Sequence, residues 1–101
     1  MTYFVVTKDI RSFREYVRRP DRPIGLLYTY TYVDSPARLK GYTNPEGVLV
    51  GDWDQHPEIV DILQSLLIQS TDPDKIRKIR RARMILAERR GYVQVNQMVN
   101  K

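Results

Sequence analysis

The sequence predicts an α/β domain built on a small, largely parallel three-stranded sheet, with flanking helices and a basic C-terminal helix. Three observations predict it. Runs rich in aromatic and β-branched residues at 2–7, 24–33 and 48–50 read as strands. Apolar residues at helical spacing fill the stretches between and after them. Strands joined through helices form right-handed crossovers, which set strands parallel.

Each element has a local signature. Thr2–Thr7 (TYFVVT) is the first strand, and Asp9 caps a helix over about 10–19. Ile10, Phe13 and Val17 give that helix its apolar stripe, with Arg11, Arg14, Arg18 and Arg19 mostly off it. Pro20 and Pro23 end it. Ile24–Val33 is the longest strand candidate, with Leu27, Thr29, Thr31 and Val33 on one face and Leu26, Tyr28, Tyr30 and Tyr32 on the other. Ser35-Pro36 reads as a cap and first turn of a short helix with Leu39 facing in, stopped at Gly41.

Thr43–Gly47 is a turn, and the wholly apolar Val48–Val50 predicts a buried central strand. A helix starts at Pro57, with Ile59, Ile62, Leu63, Leu66 and Leu67 as its buried stripe. Residues 70–73 are a break with capping chemistry. They divide a compact β/α core, 1–69, from a helix and tail, 70–101, of the same domain or appended to it. Asp74–Arg90 is the last helix, and Tyr92–Val99 alternates as a fourth strand or a tail.

A chain of 101 residues is one domain, and 42% hydrophobic with 29% charged residues makes it globular rather than disordered. With no cysteine, disulfides, thiolate catalysis and cysteine–zinc sites are excluded, and a reducing, cytoplasmic compartment is expected. The apolar run at 1–7 is too short for a signal peptide or a membrane span.

The charge is uneven. Residues 1–71 sum to −1 and residues 72–101 to +6, while 34–61 carry six acids (Asp34, Glu46, Asp52, Asp54, Glu58, Asp61) against Arg38 and Lys40. This asymmetry points to an anionic partner, to self-association between unlike patches, or to internal pairing.

Three groups of residues are functional candidates. On helix 74–90, Arg77, Arg80, Arg81 and Met84 lie opposite the stripe of Ile76, Ile79, Ala82 and Leu86. With Lys78 and Arg83 they form a solvated face, a row that tracks phosphates, or a docking helix for an acidic protein or a second copy. Its apolar face lacks aromatic anchors, which argues against a membrane surface. The second group is Asp52, Asp54, His56 and Glu58, beyond a strand's carboxyl end. It is a set of helix-capping acids or, alternatively, a divalent-metal or acid–base site. The third is the row Tyr28, Tyr30, Tyr32, which either packs or stacks bases. No GxxxxGK[ST], GxGxxG or GxSxG is present, so no ordinary phosphate loop, dinucleotide turn or nucleophile elbow is encoded.

At Ser35-Pro36-Ala37-Arg38-Leu39-Lys40-Gly41, followed by Val48-Leu49-Val50-Gly51-Asp52-Trp53, the chain resembles small bacteriophage α/β proteins. These are similar to degenerate Rossmann-like or P-loop-like fragments. The resemblance covers about residues 2–68. It implies a phage-encoded accessory protein of the host cytoplasm, and places Asp52 where P-loop ATPases hold a metal-organising acid. Thr7-Lys8-Asp9 departs from that pattern in having no glycine.

The expectation is therefore a non-enzymatic accessory or regulatory protein, without cofactor, that binds through Arg77, Lys78, Arg80, Arg81 and Arg83. Nucleic acid or an acidic protein is the partner, with homo-oligomer formation as the alternative and no membrane. An enzyme using Asp52, Asp54 and His56 is the remaining alternative.

Overall fold

The computed structural model describes residues 1–19 and 29–90. Strand β1 is Thr2–Val6, helix α1 Ile10–Arg18, β2 Thr29–Tyr32 and β3 Glu46–Leu49. Helices α2, Ile59–Gln69, and α3, Pro73–Arg89, follow, with short 3-10 turns at Pro36–Leu39 and Trp53–Gln55. The predicted strand residues 24–28 and the whole of 92–99 lie outside the described residues.

The sheet is a parallel three-stranded one in the order β2-β1-β3, the predicted architecture with one correction. The apolar run at 48–50 predicts a central strand, but among the described residues β3 is an edge and β1 is central. Pairing also starts upstream of that run, with Tyr3 opposite Glu46 and Phe4 opposite Gly47. At Gly47 a Cβ would strike the Phe4 carbonyl oxygen, so only glycine allows this approach. Val50, just past β3, still donates its N–H to Val6 O at 2.9 Å. The run is apolar because both faces of the sheet are covered out to this edge, and coverage does not reveal strand order.

Alternation along β1 divides the core in two. Tyr3 and Val5 face α1 and pack with Tyr16, flanked by Phe13, Val17, Tyr30 and Val48. Phe4 and Val6 face the other way, into a larger cluster with Val33, Leu39, Trp53, Ile59, Ile62, Leu63, Ala82 and Leu86. Helix α1 thus lies on one face of the sheet, and α2 with α3 on the other. The stripe of α1 is rotated from the predicted one: Tyr16 is buried and Ile10 is 43% exposed. Tyr16 buries its ring against Tyr30 at 5.9 Å, so an aromatic with a polar tip replaces the aliphatic Ile10.

Two turns also depart from expectation. Pro36–Leu39 is a 3-10 turn, and Ser35 makes no side-chain capping bond. Helix α2 starts at Ile59 rather than Pro57, because 53–55 form their own turn first.

Asn44 ties the corner between α2 and α3 to the start of β3. Its φ of 50° places it in the left-handed region. Its Oδ1 accepts from Thr71 N–H at 2.8 Å and Asp72 N–H at 3.0 Å, and its Nδ2 donates to Thr71 Oγ1 at 2.9 Å. Asn44→Ala is expected to cost about 1–3 kcal/mol in urea unfolding, since these donors lose their acceptor and alanine resists positive φ. Asn44→Gly, which keeps the backbone conformation, should show the hydrogen-bond loss alone.

Candidate functional site

Helix α3 begins at an Asp72 cap, whose Oδ1 accepts from Asp74 N–H at 2.9 Å, with Pro73 in the first turn. Ala82 and Leu86 are buried, and Ile76, Ile79 and Ile85 are half-buried. Acids from the 34–61 stretch hold both ends of the helix. At the N-terminal end the Lys75 ammonium pairs with the Glu46 carboxylate and donates to Asn44 O at 3.4 Å. At the C-terminal end Arg89 Nη1 meets Asp54 Oδ1 at 2.8 Å, with its guanidinium 5.6 Å from the Trp53 ring centre. Arg90 Nη2 reaches Asp54 O at 3.3 Å. Arg77 pairs within the helix, with Asp74 at 2.8 Å.

The middle of the helix is left uncompensated. Lys78, Arg80, Arg81 and Arg83 are exposed and have no ion-pair partner among the described residues. The five predicted cations do not form one row. Arg77, Arg80 and Arg81 point outward around Met84, which is 64% exposed. Lys78 instead lines a 470 Å³ groove between α3 and β3, whose other walls include Phe4, Val6, Leu49, Leu66 and Ile79. Arg83 lies on the opposite flank of the buried stripe. The set wraps the helix because Lys78 and Arg83 lie at the two borders of the buried stripe.

The Asp52, Asp54 and His56 group is dispersed. His56 is 2% exposed, and both its ring nitrogens are used. Nε2 donates to Val33 O at 2.9 Å, and Nδ1 accepts from Glu58 N–H at 3.0 Å. One tautomer, protonated on Nε2, satisfies both bonds, and no nitrogen is left for a metal. Neither acid caps by its side chain: Asp52 occupies a cap position without a capping bond, Asp54 pairs with Arg89, and His56 serves the α2 start instead. No three His, Asp or Glu side chains converge on a metal position among the described residues.

The sheet's connections reverse direction between β1 and β3, where open α/β sheets hold ligands beyond the strand ends. Here Lys8 stands 4.0 Å from Asp52, beside the Asp9 carboxylate that caps α1. Two carboxylates flanking one ammonium do not make a phosphate cradle. Nearby, the Thr7 hydroxyl is buried without a partner among the described residues.

The tyrosine row is packing where it is described. Tyr30 meets Tyr3 edge-on at 5.7 Å, and Tyr32 lies 5.7 Å from Phe13 and 6.0 Å from His56. Burial pushes the Tyr32 hydroxyl's pKa up. Tyr28 lies outside the described residues.

A second cationic row received no role from sequence reasoning. Arg11, Arg14 and Arg18 are exposed on the outer side of α1, within about 60° of arc at 3.6 residues per turn. The signal was their i, i+3, i+7 spacing. Exposed Glu15 stands beside this row, four residues after Arg11 and three before Arg18.

Compared with known protein families, curated proteins and solved structures, the chain matches none. No helix of the described residues is long and apolar enough to cross a membrane.

Two measurements check the electrostatic and buried contacts. The Ser12 amide bonded to Asp9, and the Arg38 side chain bonded to Asp34, hold both carboxyls below the usual 3.8 of an aspartate. Each group's folded value is lower than its unfolded value, so its stabilisation is present above pH 3.8 and lost as pH falls through the folded value. Carboxyl NMR titration should give both midpoints below 3.8, and Arg38→Ala should return Asp34 toward it. His56→Ala should cost about 2–4 kcal/mol in urea unfolding, from a cavity and two abandoned buried groups. A loss under about 1 kcal/mol would show that water replaces the ring.

Proposed function

We propose that this chain is a non-enzymatic accessory or regulatory protein of phage type that binds a polyanion, the phosphate backbone of nucleic acid, through the outer face of α3. The observation that carries the reading is the asymmetry of pairing along that helix. Lys75, Arg77 and Arg89 are matched by acids, and Arg80, Arg81, Arg83 and Lys78 are not, among the described residues. Rows of helical arginines suit phosphate, giving affinity with little sequence readout.

The competing reading, a second copy docking its acidic stretch on this face, is weakened by how that stretch is used. Asp34, Glu46, Asp52 and Asp54 already face Arg38, Lys75, Lys8 and Arg89 within the chain. Only Glu58 and Asp61 of the six acids remain without an ion pair among the described residues. The exposed Met84 at the centre of the face favours a protein partner instead.

Mixed-sequence duplex should bind at low salt, with log K falling linearly in log salt at about −0.9 per phosphate contacted. Arg80→Gln with Arg81→Gln should flatten that slope by about two and weaken binding by at least about tenfold, with a thermal midpoint no lower than that of the wild type, since like-charge neighbours are removed. No shift of duplex or single strand at about 50 mM salt would overturn the proposal.

A further inference from the structure

The unpaired cations are not confined to α3. The side chains of Arg11, Arg14 and Arg18 are exposed and make no ion pair or hydrogen bond among the described residues, although exposed Glu15 stands beside them and the Arg11 charge acts on the Asp9 carboxylate, leaving a row of net positive charge. They line the side of α1 turned away from Phe13, Tyr16 and Val17, which pack on the sheet. Their steps of three and four residues rise about 4.5 and 6 Å along the helix, so the row is continuous.

The sheet separates this row from the α3 face. Helix α1 covers the side of β1 that presents Tyr3 and Val5, and α3 belongs to the layer on the side of Phe4 and Val6. With helices about 10 Å across on either side of a sheet, the two cationic surfaces are about 30 Å apart. They lie in layers on opposite sides of the sheet. A stretch of backbone lying along one cannot touch the other without bending around the domain.

We infer that the protein bridges two nucleic-acid segments, one held by Arg80 and Arg81 on α3 and the other by Arg11, Arg14 and Arg18 on α1. This rests on the phosphate-binding reading of α3 and adds to it a second, independent surface. The two rows share the chemistry of exposed guanidinium groups at helical spacing, which contact phosphate without selecting sequence. A single chain then carries both contacts, and no dimer is needed to join the two segments.

A capture experiment on the full chain tests this. One mixed-sequence duplex is fixed to beads, and a second, fluorescent duplex is retained only if protein links the two. The wild type should retain the second duplex at low salt. The triple variant Arg11→Gln, Arg14→Gln, Arg18→Gln should still bind one duplex in a gel shift within about threefold of wild type, yet lose at least about tenfold in retention. Circular dichroism and thermal midpoints confirm that this variant, altered only at exposed positions, is folded. Retention by the triple variant equal to wild type would overturn the inference and assign bridging to an oligomer joined elsewhere. Equal loss of gel shift and retention would overturn it too, by making the two rows one surface. A wild type that shifts duplex but retains no second one defeats bridging and leaves the α3 reading standing. A wild type that shifts none defeats both.

Discussion

The central position of β1 is the constraint on which the molecule depends. Its two neighbours are both parallel to it, so each must be reached by a crossover that packs on a face of the sheet. The first crossover moves from β1 to β2, and the second returns past β1 to β3. Crossovers of one hand that travel in opposite directions lie on opposite faces. Hence α1 covers the side of Tyr3 and Val5, and the 3-10 turn carrying Leu39 opens the layer on the side of Phe4 and Val6. Tyr3–Thr7 are all buried as a result, in a strand with no solvent face.

Within the second layer, apolar burial and charge have different parts. Ala82 and Leu86 join the cluster of Ile59, Ile62 and Leu63, and this burial supplies the stabilisation of α3. Each ion pair at its ends joins one exposed and one half-buried side chain at the surface, and surface pairs contribute about 0–1 kcal/mol each. Their effect is positional. Glu46 and Asp54 flank β3 at its start and beyond its end, so pairing Lys75 with one and Arg89 with the other aligns α3 along the strand. The acidic stretch thus acts as a pair of clamps for the basic helix, and the clamped residues are those at the ends.

The elements that were legible in the sequence are those whose signals are local. β1, the Asp9 cap of α1, and α3 between Asp72 and Arg89 follow from composition and capping within a few residues. What was not legible depends on distant partners. The rank of β3 in the sheet is decided by crossover direction, which its own residues do not encode. His56 reads as a member of a metal or acid–base site, or of a helix-capping group, until Val33 O, 23 residues earlier, is found at its Nε2. The candidate site was legible as a list of cations and not as a surface. Which of Arg77 to Arg83 remain free depends on Asp74, Glu46 and Asp54, and the separation of Lys78 from Arg80 and Arg81 depends on where the groove falls.

The clustered cations carry a cost of their own. On α3, Arg77 with Arg81 is a like-charge pair at i, i+4, and Arg77 with Arg80, Lys78 with Arg81 and Arg80 with Arg83 are pairs at i, i+3. On α1, Arg14 with Arg18 is another at i, i+4, and Arg11 with Arg14 one at i, i+3. Each such pair destabilises an exposed helix by about 0.2–0.5 kcal/mol, less as salt screens it. A helix needing only solubility would interleave acids, as Arg77 with Asp74 does one turn earlier. On α3 the outer face after Arg77 has no acid until Glu88, whereas on α1 Glu15 stands at i, i+4 from Arg11 and i, i+3 from Arg18 and offsets part of the repulsion; an anion would reverse what remains. An anion that binds only the folded chain stabilises it by mass action, and here it would also relieve a strain the fold already carries. Affinity and helix stability are then coupled through the same arginines, one set on each side of the β1 strand that keeps them apart.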